Sequence, residues 1–294
     1  MSEGDRRWTV RDILKWTIDY LRSHQVDSPR LDAELLLAHT LELRRLDLYL
    51  DPYRPLLAGE LARFKSSVKE RLAGRAIAHI IGSKEFYAIR LQTPPGVFVP
   101  RPETEELVEK TLARLPPDCS GRLLDLCTGS GAIAISVLRE RPQMLGDAVE
   151  VTALGATTAI TNCIAAEVSP RLTIHHQDAG EFLLAETGTY DVITCNPPYI
   201  PSADIDGLMA EVRDYEPLEA LDGGPDGLDL LRRLIPLMPG RLSATGFAII
   251  EFDGSHQTAA LRQLLAGSGL TAITVHKDLA GHDRLVEAWL RAGS

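Results

Sequence analysis

From Arg122 onward the sequence alternates between short apolar segments and longer amphipathic ones, and this alternation restricts the fold more than any other feature. We predict the short segments as strands, because the stretches between them have the length and periodicity of helices. The predicted strands span 122–126, 146–149, 172–175, 191–195, 247–252, 271–276 and 284–289. Such alternation predicts an α/β fold with a mostly parallel sheet covered on both faces, and its last two strands are expected to form an antiparallel hairpin at the edge.

The first part of the chain has a helical pattern instead. In residues 9–24 apolar side chains recur every three or four positions, and Thr9 is placed to cap the helix. Two more helical patterns begin at Ser28 and at about Ala58. We therefore predict an all-helical domain over 1–82, a β-hairpin linker over 83–100 with strands at 86–91 and 97–99, and an α/β domain over 101–294.

A glycine-rich loop, LLDLCTGSGAIAI, contains the first predicted strand of the α/β domain and opens a helix. Gly129 and Gly131 allow the backbone to turn tightly and to approach a ligand closely. Asp125 lies near the carboxyl end of that strand, where ligands bind in open α/β sheets. Glu150 closes the next predicted strand, and a carboxylate there can accept hydrogen bonds from both hydroxyls of a ribose. These residues predict a site for a nucleoside-containing cofactor.

The same loop favours a methyl donor over a dinucleotide. It lacks the GxGxxG pattern that places a pyrophosphate on a helix N-terminus, whereas S-adenosylmethionine has no phosphate and needs no such site. Asp178, after the third predicted strand, is a candidate for binding the adenine amino group. The candidate cofactor residues are Asp125, Thr128, Gly129, Gly131, Glu150, Asp178 and Asn196.

The most informative motif is Asn196-Pro197-Pro198-Tyr199, which directly follows a predicted buried strand. The prolines fix the backbone and remove two donors, so the turn is rigid and its carbonyls stay available. The side-chain oxygen of Asn196 and the carbonyl of Pro197 can then accept both hydrogens of one planar NH₂ group, with Tyr199 as a flat face over it. Asn196, Pro197 and Tyr199 are thus the candidate catalytic residues for methylating an amide or adenine nitrogen, whose delocalised lone pair has to be aimed.

Taken together, these motifs resemble those of the class I protein-glutamine methyltransferases that modify peptide-chain release factors. The similar stretches are GVFVPRPETEELVE, LLDLCTGSGAIAI, NPPYI, EPLEALDGGPDGLDLLRRLI and KDLAGHDRLVEA, so the likeness covers nearly the whole chain. The resemblance implies a Rossmann-like domain that binds S-adenosylmethionine. It also implies methylation of the glutamine in a Gly-Gly-Gln motif of a release factor, with the helical domain helping to dock that factor.

The resemblance further implies which side chains contact the substrate. The residues concerned are Asn196, Pro197, Pro198, Tyr199, Phe98, Arg101 and Glu103. Asn196 and Pro197 match the family's glutamine-binding pair. Phe98, Arg101 and Glu103 match its segment near the cofactor and substrate entrance. Arg101 lies between two prolines and is also a candidate for binding Glu103 or the substrate backbone.

Charge and cysteine pattern restrict the other classes of function. The formal net charge is −10, which counts against a dedicated nucleic-acid binder because phosphate contacts need a basic surface. The cysteines form no CxxC pair and the histidines show no ligand spacing, so we expect no metal. The sequence has no apolar run of membrane-spanning length and no signal-peptide segment. We expect a cytoplasmic monomer that binds neither a membrane nor, stably, nucleic acid.

Three alternatives remain open at this point. An adenine-N6 methyltransferase acting on nucleic acid and a glutamine methyltransferase of a ribosomal protein would use the same NPPY chemistry. The stretch PRPETE at residues 100–105 favours release factors over both. A non-catalytic binding module would keep the fold without cofactor affinity, and the atypical second strand GDAVE at residues 146–150 is the feature that suggests it.

Overall fold

The computed structural model describes residues 7–254 and 256–290, and the chain divides into two compact units. Unit 1 consists of Met1–Gly82 together with Ala210–Tyr215. Unit 2 consists of Ser83–Met209 and Glu216–Ser294. The chain therefore leaves unit 1 after Gly82, returns to it for one short segment, and ends in unit 2.

Helices and strands follow one another along the described residues in the order expected for an α/β chain with a helical start. The α-helices are α1 (Val10–Ser23), α2 (Pro29–Leu41), α3 (Asp47–Leu50), α4 (Ala58–Leu72), α5 (Ile77–Ile81), α6 (Pro102–Arg114), α7 (Ala132–Glu140), α8 (Ala153–Ala165), α9 (Ala179–Ala185), α10 (Ala210–Arg213), α11 (Asp229–Leu234) and α12 (Thr258–Gly267). The strands are β1 (Ser83–Phe86), β2 (Ile89–Gln92), β3 (Arg122–Leu126), β4 (Leu145–Glu150), β5 (Leu172–His176), β6 (Tyr190–Cys195), β7 (Leu242–Glu251), β8 (Leu270–Lys277) and β9 (Asp283–Leu290). None of the described helices combines the length and the apolar character needed to cross a bilayer.

Unit 1 is a helical bundle whose core is built from the apolar faces that the sequence pattern predicts. Thr9 caps α1, since its hydroxyl accepts a hydrogen bond from the backbone N–H of Asp12 at 3.2 Å. Leu21, Leu36 and Phe64, from α1, α2 and α4, are almost fully buried against one another's helices. Burial of each such side chain stabilises the fold by about 2 kcal/mol relative to exposure.

The segment Ala210–Tyr215 packs on this bundle although it lies far along the chain. Arg71 of α4 donates hydrogen bonds to Asp32 of α2 at 2.7 Å and to Glu211 of α10 at 2.5 Å. The Tyr215 hydroxyl donates to the backbone carbonyl of Ala73 at 3.1 Å. Arg71 thus joins three parts of unit 1, and no local sequence pattern indicates this return.

Unit 2 is built on a seven-stranded sheet in the order β5-β4-β3-β6-β7-β9-β8. The strands from β5 to β7 are parallel, and β9 pairs antiparallel with both β7 and β8. This confirms the predicted fold class, a Rossmann-like mostly parallel sheet closed by a C-terminal antiparallel hairpin. Residues on both faces are buried, as Leu123, Leu124, Val192 and Ile193 illustrate, because helices cover each side of the sheet.

The predicted strands of the linker hairpin are wrong. The hairpin is formed by β1 and β2, with Phe86 paired to Ile89, and residues 97–99 are not a strand. Its turn is Tyr87-Ala88, where φ is 44° and 58°, the left-handed conformation that matches the twist of a two-residue hairpin. The prediction took Pro94, Pro95 and Gly96 as the turn because their residue types favour one, but they follow the hairpin instead.

We predict that Arg71→Leu lowers the free energy of unfolding by about 3 kcal/mol, because Asp32, only 5% exposed, would lose its charged partner. Burial already raises the pKa of Asp32, so its charge is costly without the guanidinium. The matched control is Arg22→Leu, which removes an exposed pair with Asp19 and should change stability by less than about 1 kcal/mol. Urea unfolding of the full chain measures both, and equal effects would contradict the assignment.

Candidate active site

The carboxyl ends of five parallel strands bring the predicted site residues to one edge of the sheet. Leu126 of β3 pairs with Val149 of β4 on one side and with Cys195 of β6 on the other. Cys195 in turn pairs with Ile250 of β7. Along this edge the order is Asp178, Glu150, residues 127–131, residues 196–199 and Glu251. Neighbouring strands lie about 4.8 Å apart, so these groups line one crevice, and strand order reverses at β3 as in nucleotide-binding sheets.

The loop between β3 and α7 turns through three residues with positive φ. Cys127, Gly129 and Gly131 have φ of 60°, 56° and 85°. A Cβ added to Gly129 would meet no atom within 4 Å, so the loop is open to a ligand at this position. Cys127 holds the left-handed conformation with a side chain, at a cost of about 1 kcal/mol. Gly129 and Gly131 therefore make the tight backbone turn predicted for them, and Cys127 adopts the same kind of conformation at a small cost.

Asp125 supports the loop from beneath. Its carboxylate is inaccessible and accepts hydrogen bonds from the hydroxyls of Thr128 at 2.5 Å and Thr194 at 2.7 Å. Burial raises the pKa of Asp125 to about 6, although both hydroxyls act in the opposite direction. In this structure Asp125 and Thr128 therefore fix the shape of the loop between β3 and α7.

Glu150 connects the end of β4 to the same loop. One carboxylate oxygen, Oε2, accepts a hydrogen bond from the backbone N–H of Gly129 at 2.9 Å. The other, Oε1, accepts from the backbone N–H and the hydroxyl of Thr152 at 2.8 and 2.6 Å. Each carboxylate oxygen has two lone pairs, so these three hydrogen bonds leave one acceptor position, on Oε2, beside the open position at Gly129. That position can accept from one hydroxyl of a ribose, and accepting from both would require Thr152 to give up a contact.

Asp178 caps α9, where its Oδ1 accepts from the backbone N–H groups of Gly180 and Glu181 at 2.9 and 3.0 Å. Arg233 donates to the same oxygen at 2.9 Å. All three contacts are to Oδ1, and the side chain is 29% exposed. A structural role as a cap is thus established by the geometry, and a contact with an adenine amino group would have to use Oδ2.

Asn196 and Pro197 present two acceptor oxygens directly after β6. The Asn196 side-chain Nδ2 donates to the hydroxyl oxygen of Thr104 on α6 at 3.3 Å. This directs the amide nitrogen toward Thr104 and leaves Oδ1 on the other side of the carboxamide. Among the residues that the structure describes, no donor contacts Asn196 Oδ1 or the Pro197 carbonyl oxygen. The pair can therefore accept hydrogen bonds from a ligand.

Tyr199 closes the motif and contacts the end of β7. Its hydroxyl donates to Oε1 of Glu251 at 3.3 Å. Glu251 is fully buried, and its Oε2 has no hydrogen-bond partner among the described residues. Burial raises the pKa of Glu251 to about 7, with Thr104, Arg284 and Tyr199 acting in the opposite direction. Burial and then the charge of Glu251 also raise the pKa of the Tyr199 hydroxyl, so the hydroxyl keeps its proton.

The loop at residues 222–227 braces the exit of the NPPY motif. Ile200 donates from its backbone N–H to Leu221 and accepts from the N–H of Gly223, at 3.0 and 2.8 Å. Gly227 has φ of 77°, and a Cβ there would lie 2.1 Å from the carbonyl oxygen of Tyr199. Only glycine allows this approach. The loop therefore fixes where residues 199 and 200 lie.

Gln257 completes this brace from the turn after β7. Its side-chain Nε2 donates to the carbonyl oxygens of Tyr199 at 2.7 Å and Asp226 at 3.1 Å. Its Oε1 accepts from the backbone N–H of Asp253 at 3.1 Å. One buried carboxamide thus joins the NPPY exit, the loop at 222–227 and the turn after β7.

In the described structure Arg101 does not pair with Glu103, one of the two partners expected for it from sequence, and its contact with the substrate backbone stays a prediction. Its Nη2 donates to both carboxylate oxygens of Glu216, at 2.8 and 2.9 Å, and the guanidinium lies over the ring of Phe98 at 5.0 Å. Glu216 has no exposed side-chain area, so the pair anchors the segment before α6. Glu103 is exposed at the first turn of α6. The sequence offered no way to identify Glu216, because that pair joins residues far apart in the chain.

Thr104, Glu251 and Gln257 were also missed by sequence reasoning. The one usable signal was the parallel register: if β6 and β7 are neighbours, the residue that ends β7 lies beside the residue that follows β6. Glu251 satisfies that condition next to Asn196.

Within the described residues, no set of three His, Cys, Asp or Glu side chains is arranged to hold a metal ion.

Comparison with known protein families assigns both parts of the chain. Residues 12–82 match the family model described as the PrmC N-terminal domain. Residues 88–211 match the model described as the methyltransferase small domain. These two matches cover the helical part of unit 1 and most of the site described above.

Curated relatives match over nearly their full length. A release factor glutamine methyltransferase of Rhodopirellula baltica is 36% identical over 97% of this chain and 97% of its own. One of Chlorobaculum tepidum is 38% identical over 95% and 97%. Among solved structures, the Thermus thermophilus 16S rRNA N2 G1207 methyltransferase shares the fold, with a TM-score of 0.54, 19% identity, and coverage of 71% of this chain and 50% of that one.

We predict that Gly227→Ala lowers kcat by about 100-fold, because the added Cβ forces Tyr199 and the two acceptor oxygens out of position. The control is Gly240→Ala, an exposed glycine with no atom within 4 Å of the added Cβ. Far-UV circular dichroism checks that both variants fold. Equal turnover in the two variants would show that the brace does not position the motif.

We also predict that Glu251 makes stability fall with rising pH. Its folded pKa of about 7 exceeds the ordinary value of 4.5, so the folded state binds a proton more tightly than the unfolded state does. The stabilising contribution of the protonated form is complete below pH 4.5 and is lost as pH rises through 7. The loss is on the order of 3 kcal/mol. Denaturant unfolding at several pH values should show it in the wild type and much less of it in Glu251→Gln, and identical profiles would contradict this.

Proposed function

Because the chain belongs to the family of release factor glutamine methyltransferases, we propose that it methylates the side-chain amide nitrogen of the glutamine in a Gly-Gly-Gln motif of a release factor. The methyl donor is S-adenosylmethionine. One observation carries the proposal. Asn196 Oδ1 and the Pro197 carbonyl oxygen, both without a donor in the described structure, lie on a proline-fixed loop beside the nucleoside-type site.

The two acceptors suit a carboxamide NH₂ group in number and in rigidity. A primary amide nitrogen has two hydrogens, and its lone pair is delocalised into the carbonyl, so it is a weak nucleophile. Acceptors fixed at Asn196 and Pro197 hold both hydrogens and set the direction of the lone pair. Orientation of this kind is among the greatest sources of rate acceleration that an enzyme can use. Tyr199 is fixed at two points, by its hydroxyl to Glu251 and by its backbone carbonyl to Gln257. Its flat ring therefore limits where the amide group can lie.

The cofactor residues fit this methyl transfer without a metal ion or a strong general base. S-adenosylmethionine supplies, when bound, a methyl group on a positively charged sulfur. Glu150 keeps one acceptor position for a ribose hydroxyl, and the open face at Gly129 leaves room for a ligand. Since Glu150 and Asn196 lie on either side of the loop at 127–131, a nucleoside and an amide nitrogen can bind along one edge of the sheet. After transfer, the nitrogen loses its surplus proton to water, so no strong general base is required.

We assign docking of the release factor to unit 1. Half of the large apolar side chains that are exposed in the described structure lie between residues 16 and 57. They include Trp16, Tyr53, Leu50 and Leu57, and the last three are about two-thirds exposed. The assignment rests on this concentration of large exposed apolar side chains in one unit, because protein-binding surfaces expose such residues.

The test is mass spectrometry of a release factor after incubation with the enzyme and S-adenosylmethionine. We expect one added methyl on the Gly-Gly-Gln glutamine, and a fall in kcat of about 100-fold for Asn196→Ala, which removes one of the two acceptors. Gly240→Ala serves as the control, because this exposed glycine lies outside the motif and has room for the added Cβ.

The same assay includes a ribosomal protein and double-stranded DNA as competing substrates. Methylation of the release factor alone supports the proposal. Methyl transfer to adenine or to a ribosomal-protein glutamine, with the release factor unmodified, would overturn it.

A further inference from the structure

A buried polar network lies beneath the NPPY motif and joins two of its side chains to Thr104 and Glu251, which have no substrate contact assigned to them above. It consists of Glu251 at the end of β7, Thr104 on α6, and the side chains of Asn196 and Tyr199. Thr104 is 2% exposed and Glu251 is fully buried. Buried carboxylates without complete hydrogen bonding are costly, so one next to an active-site amide requires an explanation.

The network contains two unused hydrogen-bonding positions that lie next to each other. The Thr104 hydroxyl accepts from Asn196 Nδ2, and its own proton donates to no group in the described hydrogen bonds. Glu251 Oε2 accepts from no group among the described residues, and the Thr104 hydroxyl is close enough to lower the pKa of that carboxyl. A hydroxyl has one proton and two lone pairs, so donation to Glu251 leaves its oxygen free to accept.

We propose that Glu251 and Thr104 are positioning residues that set which face of the Asn196 carboxamide meets the substrate. The carboxylate accepts the Thr104 proton, the Thr104 oxygen then accepts from Asn196 Nδ2, and Asn196 Oδ1 is thereby aimed at the substrate amide. The inference rests on the proposed function, since it concerns the acceptor that binds the glutamine NH₂.

The orientation of an asparagine carboxamide has to be fixed by neighbouring groups. Its oxygen and nitrogen ends have nearly the same shape, so packing alone does not choose between them, and only hydrogen-bond partners do. If the Thr104 hydroxyl donated toward Asn196 instead of accepting, the carboxamide would turn and present NH₂ to the substrate NH₂. Two donors would then face each other, and the amide would not bind productively.

Glu251 also makes this arrangement sensitive to pH. The titratable and charged groups that face it are Tyr199 after β6, Arg284 on β9, Glu103 at the start of α6, and Cys195 on β6. Protonated Glu251 becomes a donor to the Thr104 oxygen, which frees the Thr104 proton to donate toward Asn196. With its pKa at about 7, the arrangement that presents Oδ1 is lost as the pH falls below neutrality.

The experiment compares Thr104→Val, which keeps the shape and removes the hydroxyl, with Thr104→Ser, which keeps the hydroxyl. The matched control is Thr111→Val on the same helix, where a fully buried hydroxyl donates to the carbonyl of Leu107 at 2.8 Å. We expect kcat of Thr104→Val to fall by roughly tenfold to a hundredfold, with unchanged calorimetric affinity for S-adenosylmethionine. Thr104→Ser and Thr111→Val should stay close to the wild type.

A second measurement is independent of turnover. The side-chain NH₂ signals of Asn196, assigned by their loss in Asn196→Ala, are followed by ¹⁵N NMR from about pH 5.5 to about pH 9, a range that brackets the pKa of Glu251. We expect a shift with a midpoint near pH 7 in the wild type, an acid limb in kcat at the same pH, and neither in Glu251→Gln.

The inference is overturned if kcat of Thr104→Val equals that of Thr111→Val. It is also overturned if the pH dependence of the Asn196 signals is the same in the wild type and in Glu251→Gln. If the wild type methylates no release-factor glutamine, the proposed function fails, and the NMR titration alone then decides whether Glu251 and Thr104 orient Asn196.

Discussion

The parallel register of β4, β3, β6 and β7 is the constraint on which the rest of the site depends. Parallel strands end at the same edge, and because each pairs with its neighbour at matching positions, Glu150, the glycine loop, the NPPY motif and Glu251 follow one another along that edge. Each group belongs to a different segment of the chain. A shift of one residue in any pairing would turn alternate side chains to the opposite face and separate the acceptors from the cofactor residues.

The polar groups at this edge are arranged in two layers. The outer layer is the part that can meet ligands, and consists of the open face at Gly129 and the oxygens of Asn196 and Pro197. Beneath it, Asp125 joins the glycine loop to β6 through the hydroxyls of Thr128 and Thr194, and Gln257 holds the exit of the motif through two carbonyls. The prolines provide stiffness only within the turn. Its position relative to the sheet comes from these buried contacts.

Much of the fold and part of the site could be predicted from sequence, for reasons that particular residues illustrate. The strands, the glycine loop and NPPY are local patterns, since residue type and spacing determine what the backbone at Gly129 or Pro197 can do. The contacts of Glu251 with Tyr199 and of Arg101 with Glu216 join residues that only tertiary structure brings together. The prediction of the hairpin turn was wrong for a different reason. Tyr87 and Ala88 adopt positive φ, although their residue types rarely do so.

The central claim is that one carboxamide is held by Asn196 Oδ1 and the Pro197 carbonyl beside the methyl donor. The most direct measurement is a crystal structure of the enzyme with S-adenosylhomocysteine and a release-factor fragment that carries Gly-Gly-Gln. We predict that the glutamine nitrogen lies about 3 Å from both oxygens, with its free face toward the sulfur. A glutamine amide bound elsewhere, or residues 196–199 directed away from the cofactor, would contradict the account.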